Sequence, residues 1–235
     1  MLRWLWRQHV WRVQLGAVIS AFLLMRFEDH EMLDTHQHDY RAAELDPDLL
    51  LTPFGIQTNW HVITGAPCCG KTTLIDQLVN QGFQTVPETA RQYIKRQMAE
   101  RRTAHPIRAD AAALQRSIKD MQLSIERGLR ANEVLFLDGA LPVSLAWYRV
   151  YGLNPNEILA ECFHHRYASV FMLDPLPFQL DDQRVEEMTA IVSFLDEWHA
   201  RDYSALGYRV VRVPVLPPED RLAFVLEKLS KQRLI

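Results

Sequence analysis

Between residues 60 and 82, an apolar run, a glycine-containing loop and an amphipathic stretch follow one another directly. Trp60–Thr64 is rich in residues that favour strands, and the residues after it match the pattern G-x-x-x-x-G-K-[ST]. Apolar side chains spaced for one buried helix face then occur at Leu74, Ile75, Leu78 and Val79. Gly82 suits the left-handed conformation that ends many helices. The stretch therefore predicts a strand, a phosphate-binding loop and a helix, in that order.

The chemistry of phosphate binding explains each position of this loop. Gly65 and Gly70 let the backbone curl so that its N–H groups face phosphate oxygens, and the helix that follows adds the positive end of its dipole. Lys71 is predicted to reach the β- and γ-phosphates, and the hydroxyl of Thr72 to ligate Mg²⁺. The predicted nucleotide-binding residues are Gly65, Ala66, Pro67, Cys68, Cys69, Gly70, Lys71, Thr72 and Thr73.

A second strand is predicted to deliver a carboxylate to the same site. Val134–Leu137 is a run of four apolar residues, and Asp138 follows it directly. Such a run is typical of a central parallel strand, whose carboxyl end lies where ligands bind in open α/β folds. Asp138 is therefore the predicted second Mg²⁺ ligand. It also suits an N-cap of the next helix, a role that is compatible with metal binding.

The remaining pattern predicts an α/β fold. Short apolar runs at Phe83–Val86, Val170–Leu173 and Arg209–Val213 alternate with helical patterns, of which the clearest extends from Ile107 to Leu129. Strands that alternate with helices form a parallel sheet covered on both faces. We expect a three-layer P-loop NTPase domain of the kinase-like kind, with a mostly parallel central sheet flanked by helices.

Five further side chains are candidates for substrate binding or catalysis. Glu88 and Arg91 follow the predicted strand Phe83–Val86. In this position a carboxylate could take a proton from an attacking hydroxyl, and an arginine could bind substrate or phosphate. An acid at a helix start followed by a solvated arginine is an equal alternative. Arg184, in a loop before a helical pattern over 185–206, suits a lid arginine, or else a surface charge cluster. Gln115 is a candidate for contact with a base or sugar, as is Gln122.

Composition excludes some function classes. The chain has 26 Lys and Arg against 29 Asp and Glu, a net charge of −3, so a nucleic-acid partner held by phosphate contacts is not expected. Three cysteines cannot form a disulfide framework, which favours the reducing cytoplasm. Cys68 and Cys69 lie beside Lys71 at a helix N-terminus, an environment that lowers a thiol pKa. One hypothesis is oxidant-sensitive nucleotide binding, and the alternative is that both are small residues that the loop tolerates.

The first residues differ from the rest of the chain. Three tryptophans interleaved with arginines precede an apolar run of thirteen residues, Val13–Met25, which is shorter than the roughly 20 that span a bilayer. An interfacial helix, a docking helix and a dispensable leader all remain open, so membrane contact through this segment is the less favoured alternative. We predict an Arg/Trp-rich leader and connector over 1–58, with a possible edge element in 42–57, and a nucleotide-binding domain over 59–235.

Several motifs resemble those of one family in the same order along the chain. From about Asn59 to Leu229, roughly three quarters of its length, the chain resembles the small AAA-type ATPases that include the ribosylnicotinamide kinase domain of NadR. The resemblance implies a kinase-like P-loop fold, binding of ATP or GTP with Mg²⁺ and, for some members, phosphorylation of a small hydroxylated metabolite. The motifs are the phosphate-binding loop, Pro87–Arg91, Asp138 with Pro142, Arg166-Tyr167, Leu206–Tyr208 and Val213-Pro214.

The sequence departs from the family after Asp138 and in two other places. Gly139 and Ala140 stand where the family usually has Arg-Gly, and Val143 follows Pro142 where it has an acid. Ala168 replaces a frequent Asp, and Cys69 replaces a usual Ser or Gly. Because the arginine tends to hold the acceptor in related kinases, two functions are predicted: a small-molecule phosphotransferase, or a nucleotide-dependent regulatory switch without an acceptor.

Overall fold

The computed structural model describes residues 40–99, 111–177 and 182–232 of the chain. The described residues fall into two units, one made of 40–177 with 193–232 and the other containing 182–192. The first unit carries all the strands of the described part of the chain. The Arg/Trp-rich leader lies outside the described residues, apart from its connector.

The described elements alternate between strands and helices along the sequence. The strands are β1 (Ile56–Gln57), β2 (Trp60–Thr64), β3 (Gln84–Val86), β4 (Leu135–Asp138), β5 (His165–Arg166), β6 (Ser169–Leu173) and β7 (Val210–Val213). The helices are α1 (Lys71–Asn80), α2 (Thr89–Ala99), α3 (Ala111–Gly128), α4 (Val143–Val150), α5 (Asp182–Ala205) and α6 (Pro218–Gln232). Short 3-10 helices lie at Leu49–Leu51, Pro155–Glu157 and Ala160–Phe163.

Five strands form one parallel sheet in the order β3–β4–β2–β6–β7. Strand β2 is central, with β4 paired to one side and β6 to the other. All residues of these three strands are buried, as expected for strands covered on both faces. The strands that follow β2 in sequence lie first on one side of it, as β3 and β4, and then on the other, as β6 and β7. The carboxyl end of β2 therefore lies at the crevice where open α/β sheets bind ligands.

Neighbouring residues of each central strand face different hydrophobic cores. On β2, Val62 belongs to one core and Ile63 to the other, and Leu137 and Phe136 of β4 divide in the same way. The core around Ile63 includes residues of α1 and α6, while the core around Val62 includes residues of α4 and Tyr203 of α5. Helices thus cover both faces of the sheet, and the predicted three-layer α/β class is confirmed.

The predicted strands are confirmed with shifts of one residue at some ends, and α1 ends before Gly82, whose φ is +84°. The helix predicted over 185–206 begins earlier than expected: α5 starts at Asp182, so Arg184 lies within this helix rather than in a loop. No helix in the described part of the chain is long and apolar enough to cross a membrane.

The connector before the main sheet contacts the rest of its unit. Strand β1 pairs in parallel with β5 in a separate two-stranded sheet, and the Gly55 N–H donates to the carbonyl of Phe163 at 2.8 Å. Leu45 is buried in the same core as Val62. The edge element expected in this segment is therefore β1.

Candidate functional site

The loop between β2 and α1 has a tightly curled backbone. Gly65, Cys68 and Gly70 have positive φ values of +138°, +62° and +92°. A side-chain carbon at Gly65 would lie 2.8 Å from the carbonyl oxygen of Leu173, so the close approach of β6 requires glycine there. Positive φ is costly for Cys68, which has a side chain. This curl is the backbone geometry that the phosphate-binding pattern predicted.

Lys71 lies folded over its own loop. Its Nζ donates to the carbonyl oxygens of Gly65 at 2.8 Å and Ala66 at 2.9 Å. Burial lowers the pKa of Lys71, but Cys69, Glu88 and Asp138 outweigh burial and hold it above its usual range. The side chain is therefore an ammonium held at the start of α1.

Asp138 ends β4 beside the start of this loop. It pairs with Ile63 in the sheet, one residue before the end of β2, and the N–H of Gly139 donates to the Ile63 carbonyl at 2.9 Å. Its Oδ1 is buried and has no hydrogen-bond partner in the described residues. Burial and, to a smaller extent, the charge of Glu88 raise the pKa of Asp138 to about 6, although Lys71 and Arg91 act to lower it.

Arg91 connects the segment after β3 to the phosphate-binding loop. Its Nη2 lies 3.1 Å from Oε2 of Glu88 and donates to Oγ1 of Thr72 at 3.3 Å. The Nε of Arg91 is buried without a hydrogen-bond partner in the described residues. Glu88, Arg91 and Thr72 therefore lie together, as a site built from the ends of β2, β3 and β4 requires.

A buried polar network joins the start of α2, which follows β3, to the loop after β4. The hydroxyl of Thr89 donates to the amide oxygen of Gln122, whose Nε2 donates to Oε1 of Glu126 at 2.8 Å. Glu126 also accepts from the N–H of Leu141 at 3.0 Å and from the hydroxyl of Tyr167 at 2.8 Å. Because both ends of the Gln122 amide are used within the protein, the structure does not support its suggested contact with a base or sugar.

Sequence reasoning also missed Arg221 in the first turn of α6. Its Nη1 donates to the carbonyl oxygen of Cys69 at 2.8 Å, inside the phosphate-binding loop. More than 150 residues separate the two along the chain, so no local spacing could have indicated the contact.

The structure does not support the predicted roles of three further residues, or does not test them. Gln115 is buried on α3, and none of the contacts described above involves it. The side chain of Arg184 lies outside the described residues, so its suggested role stays a prediction. The lowered thiol pKa expected at Cys68 was wrong, because burial raises the pKa of Cys68 although Lys71 lowers it.

The parallel sheet with this loop at the end of its central strand defines a P-loop kinase fold. A family model described as an AAA domain matches residues 60–221, and the chain belongs to this family. The resemblance inferred from the motifs is therefore confirmed. None of the curated proteins compared with the chain matches it significantly.

Several solved structures are similar to the chain. NadR in complex with NAD and AMP-PNP is 18% identical with a TM-score of 0.52, over 76% of this chain and 50% of that one. NadR in complex with NR is 19% identical with a TM-score of 0.49, over 66% of this chain and 44% of that one. Thymidylate kinase from Candida albicans is 13% identical with a TM-score of 0.52, over 75% and 92%. These likenesses concern the fold, and the chain spans half or less of NadR.

Proposed function

We propose that the protein binds ATP or GTP with Mg²⁺ and transfers the terminal phosphoryl group to a small hydroxylated metabolite. The observation that carries this proposal is the position of Arg91, which contacts both Glu88 and Thr72. Through it, an acid on the loop after β3 and a hydroxyl at the start of α1 lie in one site. Asp138 of β4 adds a buried carboxylate to the same group.

The phosphates would bind at the curled loop. The backbone N–H groups of Gly65–Thr73 and the start of α1 supply donors and the positive end of a helix dipole. Lys71 now donates to two loop carbonyls, and its ammonium would turn from them to the β- and γ-phosphates.

Thr72 and Asp138 fit the protein's share of a magnesium site. The Oδ1 of Asp138, which no described residue hydrogen-bonds, is a hard oxygen ligand of the kind that Mg²⁺ prefers. No group of three His, Cys, Asp or Glu side chains in the described residues could hold a metal alone. This agrees with Mg²⁺, which is usually held by one or two protein groups together with phosphates and water. When bound, the ion would neutralise phosphate charge.

Glu88 is the proposed general base. Its carboxylate would accept the proton of the acceptor hydroxyl as that oxygen bonds to the γ-phosphorus and the bond from the γ-phosphorus to the β-bridging oxygen breaks. The products would be the phosphorylated metabolite and the nucleoside diphosphate. Arg91, beside Glu88, would bind the acceptor or the transferred group.

One observation favours a second function, a regulatory nucleotide switch. The segment after Asp138 carries Gly139, Ala140 and Val143, and none of these side chains can bind a polar acceptor. A protein that binds and slowly hydrolyses nucleotide for a partner to sense would not need such groups.

We also propose that the nucleotide-binding domain spans 59–235 and works in the cytoplasm. All three cysteines are free, and two of them lie in the proposed site, which suits a reducing compartment.

Titration of the full chain with ATP, GTP and a non-hydrolysable ATP analogue, with and without Mg²⁺, tests the binding. Ligand at about 100 times its dissociation constant should add about 2.7 kcal/mol of stability, which thermal unfolding detects. Lys71→Ala should abolish binding, and normal binding by this variant would refute the assigned loop.

Product formation with nucleosides and vitamins as acceptors separates the two functions. A phosphotransferase should release ADP rapidly only with its acceptor, and Glu88→Gln should stop turnover while nucleotide affinity is kept. A switch should hydrolyse slowly without acceptor and tolerate the same substitution.

A further inference from the structure

Among the residues that the structure describes, Arg221 is a buried cation without a counter-charge. The residue is only 5% exposed, and its Nε and Nη2 are buried without a hydrogen-bond partner in the described residues. No described carboxylate forms an ion pair with it, and the preceding Glu219 and Asp220 are exposed. Buried arginines are normally paired, because an uncompensated charge in the interior is costly. The missing anion therefore needs an explanation.

The position of this cation indicates what the anion is. Nη1 of Arg221 donates to the carbonyl of Cys69 at 2.8 Å, and a side-chain carbon at Gly70 would lie 2.9 Å from the same nitrogen. The guanidinium thus lies directly against the phosphate-binding loop, at the residue before α1 begins. Its charge adds to that of Lys71 and to the positive end of the helix dipole.

The contact also acts on the shape of the loop. A glycine at position 70 leaves room for the guanidinium, and the hydrogen bond fixes the carbonyl of Cys69 toward α6. With this carbonyl turned away, the loop N–H groups remain free to face an anion. Arg221 therefore touches the loop rather than the ligand, and it is a positioning residue that also contributes charge.

We propose that Arg221 is a determinant of nucleotide affinity whose counter-ion is the polyphosphate of the bound nucleotide. The proposal rests on the proposed nucleotide binding and deepens it, since it assigns recognition of the phosphate chain to a residue 152 positions after Cys69 in the sequence. Its contribution grows with the number of phosphates and does not involve the base or sugar. The buried charge is retained although it costs the free protein stability, because the nucleotide compensates it.

Calorimetric titration of the full chain with AMP, ADP, AMP-PNP and inorganic tripolyphosphate tests this. In Arg221→Met we expect the Kd of AMP-PNP to rise about 10-fold to 100-fold, that of ADP to rise less and that of AMP to change least. Tripolyphosphate affinity should fall with that of AMP-PNP. The thermal midpoint of the free variant should equal or exceed that of the wild type.

Arg221→Lys keeps the charge without the planar fork, and it serves where the methionine variant does not fold. It should preserve the order of affinities from AMP to AMP-PNP, with all Kd values within about tenfold of the wild type. Lys231→Met is the matched control, since it removes one positive charge from an exposed position of α6 that contacts Glu227. We expect it to leave every Kd unchanged.

A merely structural role gives different results. Equal weakening of AMP, ADP and AMP-PNP by Arg221→Met, or a lowered midpoint with every Kd unchanged, would overturn the proposal. So would a collapse of the AMP to AMP-PNP series in Arg221→Lys. If the wild type binds none of these ligands, the proposed nucleotide binding is refuted. If the wild type binds them, Lys71→Ala does not, and the Arg221 variants keep the wild-type Kd values, only the present inference is refuted.

Discussion

The buried carboxylate of Asp138 costs the folded protein stability. The carboxylate is buried, Oδ1 has no hydrogen-bond partner in the described part of the chain, and its pKa is raised from 3.8 to about 6. At neutral pH the folded protein therefore keeps a charge that the unfolded chain holds more easily. We expect Asp138→Asn to raise the free energy of unfolding of the nucleotide-free protein by about 1–3 kcal/mol and to weaken Mg²⁺-nucleotide binding.

Thermal unfolding near pH 7.5, with and without AMP-PNP and Mg²⁺, measures both effects of Asp138→Asn. Asp76→Asn is the matched control, because Asp76 is exposed on α1, and it should change neither quantity by much. A lower midpoint of ligand-free Asp138→Asn would show that hydrogen bonds or charges stabilise this carboxylate more than burial destabilises it.

At the scale of elements, prediction from sequence succeeded where the interactions are local. The strand, loop and helix of Trp60–Asn80 follow from strand-favouring residues, glycines and one apolar face, all read within some twenty residues. The contact of Arg221 with Cys69 joins residues 152 positions apart, and that of Arg91 with Thr72 joins two helices that follow different strands. Pairings of this kind depend on strand order, which hydrophobic periodicity does not encode.

The network around Glu126 is the clearest case of an unpredicted link between elements. Its carboxylate, 1% exposed, joins α3 to the loop after β4 and to Tyr167, with Gln122 extending the link to Thr89. We expect Glu126→Ala to lower the free energy of unfolding by about 3 kcal/mol or more, because buried donors would lose their acceptor. Urea unfolding measures this.

Exposed and buried glutamates give a matched comparison for this network. Glu133 pairs with Arg130 at 3.3 Å on the surface, and Glu133→Ala should change stability by less than about 1 kcal/mol. If Glu126→Ala were as mild as Glu133→Ala, the hydrogen bonds around Glu126 would contribute little, and its neighbours would have found other partners.

For the whole molecule, His199 predicts how stability depends on pH. Burial, together with the charges of Lys71 and Arg149, lowers the pKa of His199 from 6.5 to about 3. The unfolded chain therefore binds a proton on this ring that the folded protein does not, between these two values. Stability contributed by the neutral ring is complete above about pH 6.5 and is lost as the pH falls toward 3.

Urea unfolding between about pH 7.5 and pH 4.5 tests this behaviour. The wild type should lose stability as the pH falls, and His199→Phe, which carries no titrating ring, should lose less. His164→Phe, at an exposed position, should follow the wild-type curve. Parallel curves for the wild type and His199→Phe would show that His199 does not account for the acid sensitivity.

The connector before β2 predicts which truncations the whole domain tolerates. The carbonyl of Ala43 accepts from Nε of Arg149 at 2.8 Å, and the same guanidinium forms a buried ion pair with Asp202. Leu45 is buried in the core. A chain that begins at Met32 keeps these contacts, whereas one that begins at Asn59 loses them and leaves Arg149 with an unpaired buried donor. We expect the shorter chain to be less stable by about 3–5 kcal/mol.

Urea unfolding and AMP-PNP titration of the two truncated chains, beside the full chain, decide how far the functional domain extends. The chain from Met32 should match the full chain in both measurements, because it retains every contact described above. The chain from Asn59 should unfold at lower urea, and it should bind AMP-PNP like the full chain at temperatures where it is folded, since the phosphate-binding loop and Asp138 remain.

Equal stability of both truncated chains would make residues 32–58 a dispensable appendage. A loss of stability with binding retained would show that the nucleotide site belongs to 59–235 and that the stability of this domain depends on the connector.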